Sequence, residues 1–174
     1  MKKTFYERTK FLDEAKKNLD PSIDEQEIVL SLIHEEMFSR YFFDKLTNPI
    51  WIKPLFENGI FFQFPNPIEV EPGSFQLPDW PAGKYLAQFT DQYEEIAIDV
   101  ILSTNTENWR VQEILIDAMM KITSTKASEL VYLIDGWLNG RFAGMLPIKL
   151  SALSNHLLES GQIAFRQGLQ IPCL

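Results

Sequence analysis

The sequence predicts an all-α protein of stacked antiparallel helix pairs, a HEAT- or armadillo-like right-handed superhelix interrupted by one long proline-rich loop. Three observations lead there. Apolar residues recur at three- and four-residue spacing through most of the chain, the period of one helix face. Helix start signals recur too: Ser22 before Glu25, Asp91 before Glu94 and Thr104 before Glu107 all have capping-box spacing. Finally, Pro65, Pro67, Pro72 and Pro78 fall between Ile60 and Trp80, where they forbid helix.

Residues 1–20 form a charged segment with apolar positions at Phe5, Leu12, Ala15 and Leu19. "LDPSID" turns the chain, and a long helix is expected from Ile23 to Leu46. Its stripe of Val29, Leu32, Ile33, Met37, Phe42, Phe43 and Leu46 is wide enough to be contacted on more than one side. Asn48-Pro49 opens the next helix, with Asn as cap and Pro at the first helical position, where no N–H is needed. Pro54 should kink or tighten it, Trp51, Ile52, Leu55 and Phe56 form one face, and Gly59 supplies a left-handed stop.

In the loop, 60–80, "IEVEPGSFQL" alternates on either side of Pro72-Gly73 and admits a small ribbon around a type II turn. Two isolated strands are marginal, so an ordered irregular loop is the stronger expectation. Asp79 is then expected to cap a helix bearing Ala82, Tyr85, Leu86 and Phe89. Asp91 and Glu94 open the next, with Tyr93, Ile96, Ala97, Val100 and Ile101 on one face. Thr104 and Glu107 open another, carrying Trp109 or Val111, Ile114, Leu115, Ala118 and Met119. A helix from Ser128 to Asn139 and a last one bearing Leu150, Leu153, Leu157 and Leu158 complete the reading. Beyond Gly161, "QIAFRQGLQIPCL" is apolar enough to pack and has no ending signal. The 174 residues are therefore expected to be one domain, the N-terminal part of a longer protein.

The net charge of −8 argues against a general nucleic-acid surface, which needs clustered Lys and Arg; the only basic runs are Lys2-Lys3 and Lys16-Lys17. Cys173 is the single cysteine, which excludes an internal disulfide framework and fits a reducing, cytoplasmic setting. No apolar run approaches a membrane span, and the lysines at the start are interrupted by Glu7, Asp13 and Glu14, unlike a secretion signal.

"AIDVIL" (97–102) aligns with "LIDGWL" (133–138) at an offset of 36 residues, and the apolar positions of the two following helices align at about 39. That period lies near the unit length of helical-pair arrays, whose members bury their faces only by stacking. The order "YFFDKL…NPIWIKPLFENGIF…PNP…LPDWPAGKYLAQF" resembles a segment of large bacterial multidomain proteins. There it precedes HEAT-like helices that read much like "NTENWRVQEILIDA". The resemblance covers about Tyr41 to Met120; it implies a helical scaffold region and brings no catalytic residue with it.

No catalytic signature stands out, and no metal or cofactor site is expected. "HEEMF" lacks the second His of a helical zinc motif, and His34 and His156 have no ligand-like neighbours. Asp99 and Asp135 hold equivalent places in the two repeat copies, where a structural role is the stronger expectation. Trp51, Trp80, Trp109 and Trp137 recur every 28 or 29 residues, as wedges between successive helices or as a row lining a groove. The expected interaction surface is the loop, through Phe62, Phe64, Phe75 and Trp80, with a protein partner or the chain's own downstream domains as its target. The alternative is a nucleic-acid-sensing or regulatory domain of a defence or signalling protein. It would need a basic strip from Lys45, Lys53, Lys84 and Arg110.

Overall fold

A computed structural model describes residues 4–159; Lys2, Lys3, Cys173 and the apolar stretch beyond Gly161 lie outside them. The described residues are mostly helical. Helix α1 (Phe5–Ala15) begins with a capping box absent from the expectation above: Thr4 Oγ1 accepts from the Glu7 N–H, and the Glu7 carboxylate accepts from the Thr4 N–H at 2.6 Å. It buries Leu12 and Ala15, while Phe5 and Leu19 remain exposed.

The expected long helix is two helices, α2 (Ile23–Ile33) and α3 (Glu36–Asp44), separated by an extended Glu35 with φ −83° and ψ 122°. The apolar stripe explains the break. Val29 and Ile33 share one face of α2, but Phe38 and Phe42 lie five residues on from them or further. At about 100° per residue a continuous helix would turn those phenylalanines roughly 140° away from the core. Bending the chain at 34–35 returns both pairs to it, and Arg8 holds the bend through a 2.9 Å ion pair to Glu35.

Asn48 caps the next segment as expected, its Oδ1 accepting from the Ile50 N–H at 3.2 Å. Pro49–Trp51 forms a 3₁₀ turn that leads into α4 (Ile52–Glu57), and Gly59 ends it at φ +72°. The segment is tied to the end of α1. Trp51 Nε1 donates to the Ala15 carbonyl at 3.3 Å, and Lys16, itself buried, donates to the Tyr41 carbonyl at 2.9 Å while its ammonium sits 4.1 Å over the Tyr41 ring.

The loop contains a real hairpin, which corrects the expectation of an irregular loop. Strand β1 (Ile68–Glu71) pairs antiparallel with β2 (Ser74–Gln76), with an irregularity between Glu69 and Glu71. Gly73 at φ +81° supplies the conformation that the third position of a type II turn requires.

Helices α5 (Pro81–Gln88), α6 (Glu94–Ser103) and α7 (Trp109–Met119) follow, each with a start different from the one expected. Asp79 pairs with Lys84 rather than capping α5, whose cap position is Trp80 with no side-chain cap. Asp91 lies exposed in the turn before α6, and Tyr93 takes the cap position. Thr104 Oγ1 donates to the Val100 carbonyl at 2.6 Å at the end of α6, and Asn108 caps α7 instead. The expected helix 128–139 starts earlier and bends, as α8 (Ser124–Glu129) and α9 (Tyr132–Leu138). Leu133 and Ile134 N–H groups reach back only three residues there, a tightening that keeps Ala127, Leu130, Ile134 and Trp137 on one buried face. Finally, α10 (Pro147–Glu159) buries Leu150, Leu153 and Leu157.

The buried apolar side chains form one contiguous cluster. Within it α3 packs on α5, α5 on α7, and α7 on α10, so every second or third helix continues one row. The two copies suggested by the sequence are α6–α7 and α9–α10. Burial matches at an offset of 37 in the first helices (Ala97 with Ile134, Val100 with Trp137), one residue from the sequence alignment. It matches at 39 in the second (Val111 with Leu150, Ile114 with Leu153, Ala118 with Leu157).

Candidate interaction groove

The proline-rich loop is closed at its base by one buried side chain. Asn108 is fully buried; its Nδ2 donates to the Pro78 carbonyl at 2.9 Å and to the Pro65 carbonyl at 3.2 Å. Its Oδ1 accepts from the Arg110 N–H at 3.1 Å, so the same residue caps α7 and clamps both ends of the loop. Thr106 Oγ1 accepts from the Asn108 N–H, and the Thr106 carbonyl accepts from Gln112 Nε2 at 2.8 Å. Pro65 and Pro78 both lie outside helix and strand, so no regular backbone ladder claims their carbonyls.

Held this way, the loop stands beside α3 and the start of α5 and leaves a groove of about 500 Å³ between them. One wall comes from the α2–α3 bend and α3 (His34, Ser39, Arg40), the other from the loop (Gln63, Ile68, Gln76), and Trp80 with Ala82 lies at the α5 end. A second hollow of about 380 Å³ adjoins it, sharing Arg40, Asp79 and Pro81 and bounded by α3 and α5. Both of its cations have ion-pair partners. Arg40 meets Glu36 at 2.9 Å, and Lys84 meets Asp79 at 2.7 Å.

The four loop aromatics do not form one surface. Phe62 is 39% exposed and tilts against Phe56 at a centroid distance of 5.6 Å. Phe64 meets Trp80 edge-on at 6.4 Å, and Trp80 is only 2% exposed. Phe75 points elsewhere, edge-on to Phe142 at 5.8 Å with the Arg141 guanidinium 4.4 Å over its ring, which pins the hairpin to the turn before α10. Only Phe64 and Trp80 come together. Gly83 makes room for the latter: a Cβ there would lie 2.0–2.4 Å from carbons of the Trp80 ring.

Of the other tryptophans, Trp51 and Trp137 are buried and Trp109 is half-buried beneath Arg110, whose guanidinium lies 5.7 Å from its ring. Asp99 and Asp135 are both exposed. Lys45, Lys53, Lys84 and Arg110 include one cation held by Asp79 and one resting on Trp109. Among the described residues no group of three or more His, Cys, Asp or Glu side chains converges, and no helix is long and apolar enough to cross a membrane. Two acids are stabilised in their charged form. The Tyr41 hydroxyl, donating at 2.7 Å, together with Lys16 holds Asp13 below the ordinary carboxylate range; the Thr123 N–H and Lys126 do the same for Glu94, tying α6 to α8.

No family model matches the chain, and comparison with curated proteins and with solved structures gives no match either.

Proposed function

We propose that the protein is a non-enzymatic helical scaffold, a HEAT-like stack that presents the groove between α3, the proline-rich loop and α5 to a protein partner. The observation that carries this reading is the packing order: α3, α5, α7 and α10 follow one another as a row. Packing that skips the next helix in sequence is what stacked helix pairs produce. Such rows present extended surfaces, and the groove opens where the loop departs from the stack. The cations beside the groove are paired with carboxylates, which suits a surface that binds rather than reacts.

The test is site-specific photo-cross-linking in the protein's own cells. A benzoylphenylalanine at Ser39, in the groove wall, should yield a defined protein adduct; one at Asn155, exposed on α10, should not. Filling the groove with Gln76→Phe should remove the Ser39 adduct. Equal adducts from both positions, or none from Ser39, would overturn the reading.

A further inference from the structure

Hairpin β1–β2 stands out from the helices as an arm, attached at its base and again through one ring. At the base, Asn108 holds the Pro65 and Pro78 carbonyls. Beyond that clamp, among the described residues, no hydrogen bond or ion pair joins 68–76 to the rest of the chain. The Gly73 N–H donates to Glu69 Oε1 at 2.9 Å, a bond within the hairpin itself. Every residue of β1 is exposed, and in β2 only Phe75 is half-buried. Its ring meets Phe142 edge-on at 5.8 Å, with the Arg141 guanidinium 4.4 Å over its face. A two-stranded ribbon has little stability of its own, so this one ring decides where the arm stands.

The strand register fixes the direction in which it is held. Ile68 lies opposite Gln76, so these two side chains share one face of the ribbon, and both line the groove. Phe75 precedes Gln76 by one residue and therefore points from the other face. Seated on Phe142, it draws the arm away from α3 and leaves Ile68, 52% exposed, facing the gap. Beside the polar His34, Ser39 and Arg40, that gap is lined by Ile33, Ile60 and Ala82. Burying Ile68 against them would remove apolar surface from water, a gain the hairpin forgoes while Phe75 is seated. Asn66, Pro67 and Leu77 lie between the clamp and the strands, outside regular structure, where a hinge would sit.

We propose that the hairpin is a lid latched open: Phe75, seated against Phe142 and Arg141, keeps the groove accessible, and releasing that ring lets the arm swing onto α3. This rests on the scaffold reading above and supplies the regulation of its groove. The test attaches a nitroxide to Glu71→Cys in a Cys173→Ser background, which removes the single native thiol, and reads the broadening of backbone amide signals by NMR. Phe142→Ala leaves the hairpin sequence intact; it should increase the broadening at Ser39 and Arg40 and diminish it at Gly140 and Ala143. Phe75→Ala should do the same. Arg141→Gln, at an exposed position, should move the broadening in the same direction by less, and it removes no ring. Broadening that stays in place in all three would overturn the proposal, as would its loss from both sides, which describes an arm released into solvent. The two readings separate because no partner enters this measurement. A Ser39 cross-link without movement of the hairpin refutes only the lid, and movement without a Ser39 cross-link refutes only the cellular scaffold role. Where both are seen, Phe142→Ala should lose most of the Ser39 adduct, and its retention would refute the latch.

Discussion

Replacing Asn108 by Ala should release the proline-rich loop and weaken the whole molecule. The substitution removes three hydrogen bonds at once: two from Nδ2 to the Pro65 and Pro78 carbonyls, and one from the Arg110 N–H to Oδ1. Each is worth about 1 kcal/mol net, and the loss of an N-cap by itself costs about 1 kcal/mol. Two circumstances limit the sum. The bonds to the proline carbonyls are only partly buried, so water can reach those oxygens once Asn108 is gone, and Thr106 Oγ1 stays within 3.4 Å of the Pro65 carbonyl. The expected loss is therefore about 2–4 kcal/mol, a large fraction of the roughly 5–15 kcal/mol that holds a typical domain together.

Asn108→Asp separates the two jobs of this side chain. A carboxylate keeps the cap and suits the positive end of α7. It has no N–H to give, however, and would face two carbonyl oxygens at the distances where the amide now donates. Asp should then be no better than Ala at neutral pH and should improve as it is protonated. Urea unfolding followed by tryptophan fluorescence gives the free energies, and hydrogen exchange at Val70, Glu71, Phe75 and Gln76 reports the hairpin. Ala within about 0.5 kcal/mol of the parent, the range of an ordinary surface change, with hairpin protection unaltered, would refute the clamp.

Other substitutions test neighbouring parts of the same construction. Gly83→Ala would place a methyl 2.0–2.4 Å from the rigid Trp80 ring and should cost about 1–3 kcal/mol, read by urea unfolding, with a shift of the Trp80 indole peak. Tyr85→Phe removes a partly buried 2.7 Å hydrogen bond from the phenol to the Asn48 carbonyl and should cost about 1 kcal/mol in the same assay. Stability should also fall in acid. Asp13 and Glu94 have folded pKa values below their ordinary ones, so their contribution is complete above about pH 5 and disappears as pH falls through the depressed values. Glu94→Gln should accordingly be less stable than the parent at neutral pH and converge with it in acid, as measured by thermal unfolding across pH 2–7.

The elements that the sequence announces correctly are those whose signal is local and has one competitor at most. Gly59 and Gly73 lie where φ must be positive, and Asn48-Pro49 starts a helical segment because Asn48 Oδ1 is free to cap it while Nδ2 donates to the Lys16 carbonyl. Caps fail where the acceptor has a better use. Asp79 turns to Lys84, and Thr104 donates backwards to Val100, so the start of α7 moves to Asn108. The break at Glu35 was legible as a phase slip between Val29-Ile33 and Phe38-Phe42, but only to a reading that tracks angle as well as spacing. The groove was not legible at all, because its walls are drawn from α3, the loop and α5, which the fold alone makes neighbours. The same physics redistributes the four loop aromatics. A large ring gains more from a second ring or a guanidinium than from water, so Phe62, Phe64 and Phe75 each settle on a different neighbour and Trp80 sinks beneath the surface. With the rings settled on one another, the loop's contribution to the groove wall includes the amides of Gln63 and Gln76.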